Sequence, residues 1–213
     1  MRRIMVLNPK GGSGKSTLAT NLAAFYAKSA KVTHLLDLDP QRSCNDWLAQ
    51  RPKSANPIIE LRAEVGEILL PHRNGVMIID TPAAIDTEQF KSYVKTAHVI
   101  IIPVLPSPID IRATARTIER LLLLGRISKE RTRIAVVANR VREKRLAYRS
   151  LQKFLQSLEI PFIATLHDSE CYIYAMSKGL GIFELPKAKV GPEVEQWVPL
   201  LKWLKSKASQ AKE

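Results

Sequence analysis

A chain of 213 residues with 46% apolar side chains can bury a full core, and it only slightly exceeds the common domain size of ~100–150 residues; one compact domain over residues 1–213 is expected. Its longest apolar run, Val99 to Ile102 before Pro103, falls far short of the ~20 residues a spanning helix needs, and Met1 to Leu7 carries no signal-peptide core, so the reading is cytoplasmic. A formal charge of +13 and a pI near 9.9 favour a polyanionic partner, nucleic acid or an anionic membrane.

In chain order, apolar and mostly β-branched runs fall at Ile4–Leu7, Val32–Leu38, Pro57–Leu61, Val76–Ile79, Val99–Val104, Ile134–Ala138 and Pro161–Leu166, and most are separated by segments with helical spacing. Strands that are apolar on both faces and alternate with helices imply an α/β fold: a doubly wound, mostly parallel sheet flanked by helices. No repeat or Gly/Ser linker interrupts the chain, and only Lys205 to Glu213 reads as a frayed tail. Cys44 and Cys171 are far apart, with no C-x-x-C and no neighbouring histidine, and read as ordinary reduced thiols.

The first run leads into LNPKGGSGKSTLA, Leu7 to Ala19. This nearly fits the phosphate-binding pattern G-x-x-x-x-G-K-[ST], in which backbone N–H groups cradle phosphates at a helix N-terminus. Gly11, Gly12, Ser13 and Gly14 form the turn, Lys15 is placed to bridge the β- and γ-phosphates, Ser16 to ligate Mg²⁺ and Thr17 to reach the α-phosphate. The pattern's first glycine is replaced by Pro9, and a second lysine, Lys10, follows it.

A Mg²⁺-nucleotide site also needs carboxylates at strand ends. Asp37 and Asp39 close the second strand in HLLDLDPQ, and Asp80 ends the run in GVMIIDTP. Asp80 is read as the metal-side residue, and Asp37 is assigned to the metal with it and Ser16. Asp39 is the better placed of the second strand's pair to align a water on the γ-phosphorus.

PKGGSGKST, DLDPQRSCNDW, a later run ending in DTP, IIPVLPSPIDIRA and AMSKGLGIFE together resemble the deviant Walker A family of P-loop NTPases, and most of all the small ParA partition ATPases. The likeness runs from about Arg3 to Glu184 and extends to ParF-like plasmid partition and McdA-like cargo-positioning proteins. It implies an ATPase that uses ATP and Mg²⁺, forms an ATP-dependent homodimer, and works with a ParB-, ParG- or McdB-like adaptor. It makes Lys10 the signature lysine, reaching the γ-phosphate held by the other subunit much as an arginine finger does. It also places Asp110, behind the Ser107 N-cap and Pro108, at the dimer face, and Asn139 and Arg140 at the adenine.

Residues 112 to 153 carry 13 Lys/Arg against Glu119, Glu130 and Glu143. Arg112, Arg116 and Arg120 recur at helical spacing, with Ile118, Leu121, Leu122 and Leu124 available for the core. Arg142, Lys144, Arg145 and Arg149 follow. These are read as contacts to nonspecific double-stranded DNA of the nucleoid. The alternatives are a MinD-like membrane ATPase and a dethiobiotin-synthetase-like ligase. Against the first, the stripe Val194, Trp197, Leu200, Leu201 and Leu204 stops before the polar end, as in a helix packed on the core; against the second, no mark of a small-molecule carboxylate pocket is present.

Overall fold

Successive residues along the strands face opposite sides of the sheet, and here both sides are apolar. In the computed structural model, which describes residues 1–62, 74–123, 132–142, 149, 153–154, 156–157 and 160–210, each anticipated run is a strand. These are β1 (Arg2–Val6), β2 (Thr33–Asp37), β3 (Ile59–Leu61), β4 (Val76–Asp80), β5 (Val99–Val104), β6 (Arg133–Val141) and β7 (Phe162–His167). They form one sheet in the order β3-β2-β4-β1-β5-β6-β7, and every pairing is parallel.

The alternation splits the core into two layers. Ile4, Val6, Ile78, Val99 and Ile101 pack with α1 (Lys15–Lys28), α2 (Ser43–Ala49), α5 (Glu170–Ser177) and α6 (Lys187–Lys205), through residues such as Leu18, Leu22, Trp47, Ala175, Trp197 and Leu200. Met5, Leu7, Met77, Ile79, Ile100 and Ile102 pack with α3 (Thr87–Thr96) and α4 (Pro108–Leu123), through Phe90, Val94, Ile118 and Leu121. Each fully buried large aliphatic side chain contributes about 1.5–3 kcal/mol against the entropy of ordering the chain.

One expectation about a helix is refined and another holds. On α4 the buried positions are Asp110, Thr114, Thr117, Ile118 and Leu121, a stripe at helical spacing that leaves Leu122 outside it and 45% exposed; Leu124 lies outside the described residues. The apolar stripe of α6 is a core element: Trp197, Leu200, Leu201 and Leu204 are buried, and the helix packs on β7. Past α6, where the sequence points to fraying, Lys207–Ser209 makes a 3₁₀ turn, and Arg2 Nη2 donates to Ser209 Oγ at 2.6 Å. No helix among the described residues is long and apolar enough to cross a membrane.

The topology fixes where a ligand can sit. From β1 the chain winds out to β2 and β3, returns to β4 beside β1, then crosses to β5 and onward to the other edge. The carboxyl ends of β1, β4 and β5 therefore meet at the switch point of the sheet, where open α/β sheets form their binding crevice.

Candidate active site

The turn leaving β1 is set by Asn8 before the glycines begin. Its buried side chain donates from Nδ2 to Pro103 O at 2.6 Å, and its Oδ1 accepts from Lys10 N at 2.8 Å, a local turn that aims the loop outward. Sequence reasoning passed over this residue, although an Asn-Pro pair at a strand end signals turn initiation. Gly12 and Gly14 then adopt φ of 74° and 88°, and Gly14 enters α1 as its N-cap. A Cβ on Gly14 would lie 2.1 Å from Asn139 Nδ2, so only glycine fits there.

Lys15 is buried at the base of this turn, and its Nζ donates to Lys10 O at 3.2 Å. Burial lowers its ammonium pKa, and the charges of Asp80 and then Asp39 partly restore it. The loop, the α1 N-terminus and this lysine present donors and positive charge to one anion site.

The carboxylates come from adjacent strand ends, since Asp37 pairs in register with Asp80 across β2 and β4. Asp80 is fully buried, Cys44 Sγ donates to its Oδ2 at 3.2 Å, and its Oδ1 has no hydrogen-bond partner. Burial pushes its pKa up to about 6, with Ser16, Cys44 and Lys15 pulling it back in part. A buried carboxylate with an unused oxygen beside Ser16 fits a divalent cation. Asp37 caps α2 as well: its Oδ2 accepts from Cys44 N at 2.8 Å and Asn45 N at 3.3 Å, and its Oδ1 from Asp39 N at 2.9 Å. Asp39 sits one turn further out, where its Oδ1 accepts from Gln41 N at 2.9 Å.

A cavity of ≈ 680 Å³ lies over the loop, lined by Gly11, Lys15, Ser16, Thr17 and Asp39 on one side and by Asn139, Arg140, Asp168 and Tyr172 on the other. Asn139 is buried, and its Nδ2 donates to Ser13 O at 2.9 Å, so it props the phosphate turn while facing the cavity. Arg140 takes a left-handed φ of 52° and pairs with Asp168 at 3.3 Å. Asp168 and Tyr172 were missed in the sequence because strand and helix patterns say nothing of which loop folds over the switch point. Ser169, the N-cap of α5, is the one signal that marks that turn.

Lys10 and Asp110, both read as dimer-face residues, meet within one chain at 3.3 Å. Ser107 Oγ donates to Asp110 Oδ2 and accepts from Asp110 N, completing the expected N-cap of α4.

This glycine-lined anion site, backed by two strand-end carboxylates at a switch point, is the architecture of a P-loop NTPase. The profile of the CobQ/CobB/MinD/ParA nucleotide binding domain matches residues 4–182. The chain belongs to this family. Its ParA/MinD members include maintenance of carboxysome distribution protein A from Halothiobacillus neapolitanus, 29% identical over 189 residues that cover 85% of this chain and 87% of that one. Among solved structures, a putative plasmid partition protein from Borrelia burgdorferi bound to AMPPNP superposes with a TM-score of 0.75 at 16% identity, covering 94% of this chain and 98% of that one. The apo McdA of Cyanothece gives 0.73 at 16% identity, covering 92% and 97%. At such identities the two structures bear on fold alone, and the ParA/MinD fold is the one they share.

The basic residues assigned to DNA divide sharply. Arg112 and Arg116 are exposed on α4, and among the described residues their side chains make no ion pair or hydrogen bond. Arg120 instead stacks over Phe90, 4.2 Å from the ring centroid, and donates to Thr87 Oγ1 at 3.0 Å. Arg142 is paired with Asp168 at 2.6 Å. Arg149 is exposed, and Lys144 and Arg145 lie outside the described residues.

Proposed function

We propose that this ParA/MinD-family ATPase is a single-domain, ParA-type positioning protein that hydrolyses Mg-ATP and binds nucleoid DNA nonspecifically as an ATP-bound dimer. The observation that carries the reading is the pair of lysines on the phosphate turn: Lys15 buried beneath it and Lys10 38% exposed on its outer side. A cation on that outer face has a natural target in the γ-phosphate of a second subunit laid against the first. Nucleotide state and dimerisation are thereby coupled.

Ser16 and Asp80 would hold Mg²⁺, with Asp37 behind them, and the ion would supply charge neutralisation of the phosphate oxygens. Lys15 binds the β- and γ-phosphates, while Gly11 to Gly14 and Thr17 offer N–H and hydroxyl donors. Asp39, at the mouth of the cavity, orients the attacking water in line with the γ-phosphorus, and Lys10 from the other subunit stabilises charge on the transferring oxygens. Asn139 and Arg140 flank the adenine. Hydrolysis, stimulated by an adaptor of the ParB, ParG or McdB kind, lets the dimer part.

DNA attachment falls to Arg112 and Arg116, with Arg149 and the remaining basic residues of 112–153 as further candidates. Each exposed arginine that neutralises a phosphate releases counterions, so binding is salt-steep and indifferent to sequence, and dimerisation doubles the number of contacts. The relative's name ties that protein to carboxysome distribution; for this chain a cargo of that kind, a plasmid or a chromosome origin fits equally. A MinD-like membrane role is disfavoured by the burial of the α6 apolar stripe. Light-scattering mass with Mg-ATP, with ADP and without nucleotide tests the dimer: doubling with Mg-ATP alone is expected, and a mass indifferent to nucleotide would overturn the reading. Liposome sedimentation in the same three states separates a membrane role.

A further inference from the structure

We propose that Asp37, Cys44 and Asp80 form a binding site for a thiophilic divalent cation of the zinc or cadmium class, and that filling it excludes Mg²⁺-nucleotide from the phosphate loop. The sequence reads Cys44 as an ordinary thiol; its position does not agree. It is fully buried at the start of α2, 3.2 Å from Asp80 Oδ2 and 3.9 Å from Ser16 O, and one ligand atom from each of Asp37, Cys44 and Asp80 lies within 4.8 Å of the others. Among the described residues this is the one such trio.

Two independent features point to a ligand. Asp80 Oδ1 is buried without a hydrogen-bond partner, a costly state for a carboxylate oxygen that an ion would relieve. The donor set is also chemically mixed. Mg²⁺ prefers oxygen and water at near-octahedral geometry, whereas a thiolate beside carboxylates selects zinc-like ions at about 2.3 Å from sulfur and about 2.0–2.2 Å from oxygen. The Cys44 and Asp80 atoms stand 3.2 Å apart, near the separation two ligands of one tetrahedral ion require, and Asp37, held by N–H bonds from Asp39, Cys44 and Asn45 to its two oxygens, supplies the third ligand atom.

On binding, the S–H bond breaks, a sulfur–metal bond forms from the same electron pair, and the proton leaves to solvent. Two carboxylates and one thiolate then face two positive charges, which leaves a filled site no need of a further anion. Mg²⁺ would need the same Asp80 carboxylate and would face the charge of an ion already held there, so competition with Mg²⁺-nucleotide follows; this second clause rests on the proposed ATPase reading, while the cation site itself does not.

The test is a Cd²⁺ titration of the nucleotide-free full chain, read by the ultraviolet thiolate-to-cadmium charge-transfer band, with Cys171→Ala as background to silence the partly exposed second thiol. The band should saturate at one equivalent, vanish in Cys44→Ala and Cys44→Ser with the fold retained by circular dichroism, and weaken by at least about tenfold in Asp80→Asn. A band that is absent from the Cys171→Ala protein, or that survives loss of Cys44, overturns the site. Mg²⁺ with a non-hydrolysable ATP analogue should raise the apparent Cd²⁺ dissociation constant about tenfold or more, and an unchanged constant overturns the exclusion. Nucleotide affinity measured without cadmium is the separate arm: its absence overturns the ATPase reading and leaves the cadmium band standing.

Discussion

Lys10 Nζ and Asp110 Oδ1 lie 3.3 Å apart in one chain, with the lysine side chain 38% exposed and the aspartate 9%. The lysine proposed to act on a second subunit's nucleotide is thus held by its own subunit, and dimerisation exchanges one anion for another. Half-exposed pairs of this kind contribute about 0.2–1 kcal/mol. Asp110→Asn is therefore expected to tighten ATP-dependent self-association by less than about fivefold. Lys10→Ala is expected to spare ATP binding by the monomer and to impair self-association or stimulated turnover. Sedimentation equilibrium with Mg-ATP measures both; equal association of Lys10→Ala and the unmodified chain, with equal turnover, removes the trans role.

Asp39→Ala is expected to slow hydrolysis by tenfold or more, of the order lost when a positioned proton-transfer or water-orienting group is removed, while ATP affinity stays within about twofold. Single-turnover hydrolysis beside equilibrium binding separates the two effects. Normal turnover would return Asp39 to the turn that its bond to Gln41 N already builds.

Asp80 carries a pH signature. Its folded pKa is raised from 3.8 to about 6 by burial, so the folded state holds the proton more tightly than the unfolded one. Stability from this group is present below its ordinary pKa and is lost as pH rises through about 6, at a cost of roughly 3 kcal/mol. Asp80→Asn removes that cost. The nucleotide-free variant is expected to melt higher than the unmodified chain at about pH 8 and to lose this advantage by about pH 4, while gaining nothing from Mg-ATP. Differential scanning calorimetry at both pH values checks the sign.

How much of this could be read from the chain depends on the range of the interaction. The seven strands of the described residues were legible because a strand buried on both faces is a local run of branched apolar residues, and so were the places of Lys15 and Ser16 at the start of α1 and of Asp80 at the end of β4, which neighbours in sequence fix. Asn8 propping the loop through Pro103, Cys44 against Asp80 and Asp168 holding Arg140 join residues whose proximity only the sheet order creates. Helical spacing grouped Arg120 with Arg112 and Arg116, yet the neighbouring α3 supplies Phe90 beneath Arg120, and no pattern within α4 could show that.

Arg51 is a further long-range tie. It pairs with Glu184 at 2.5 Å, both side chains under a tenth exposed, and stacks on Trp47 at 5.3 Å. The pair joins the end of α2, and with it Asp37, to the segment after α5. Breaking a buried pair strands a charge, so Arg51→Ala is expected to destabilise the fold by about 3–5 kcal/mol in urea unfolding; a change under about 1 kcal/mol would make the pair incidental.

Arg112→Ala and Arg116→Ala are each expected to weaken DNA binding uniformly across sequences and to reduce the salt slope by about 0.9. Arg142→Ala is expected to have the smaller effect, since Asp168 already neutralises that guanidinium. Equal losses at all three sites would move the DNA face toward the β6 end.

The most direct measurement is retention of unrelated DNA duplexes by the purified protein with Mg-ATP, with ADP and without nucleotide, at two salt concentrations. Retention that requires Mg-ATP, ignores sequence and falls steeply with salt is the predicted result. Equal retention in all three states, or none in any, would contradict ATP-gated attachment to DNA.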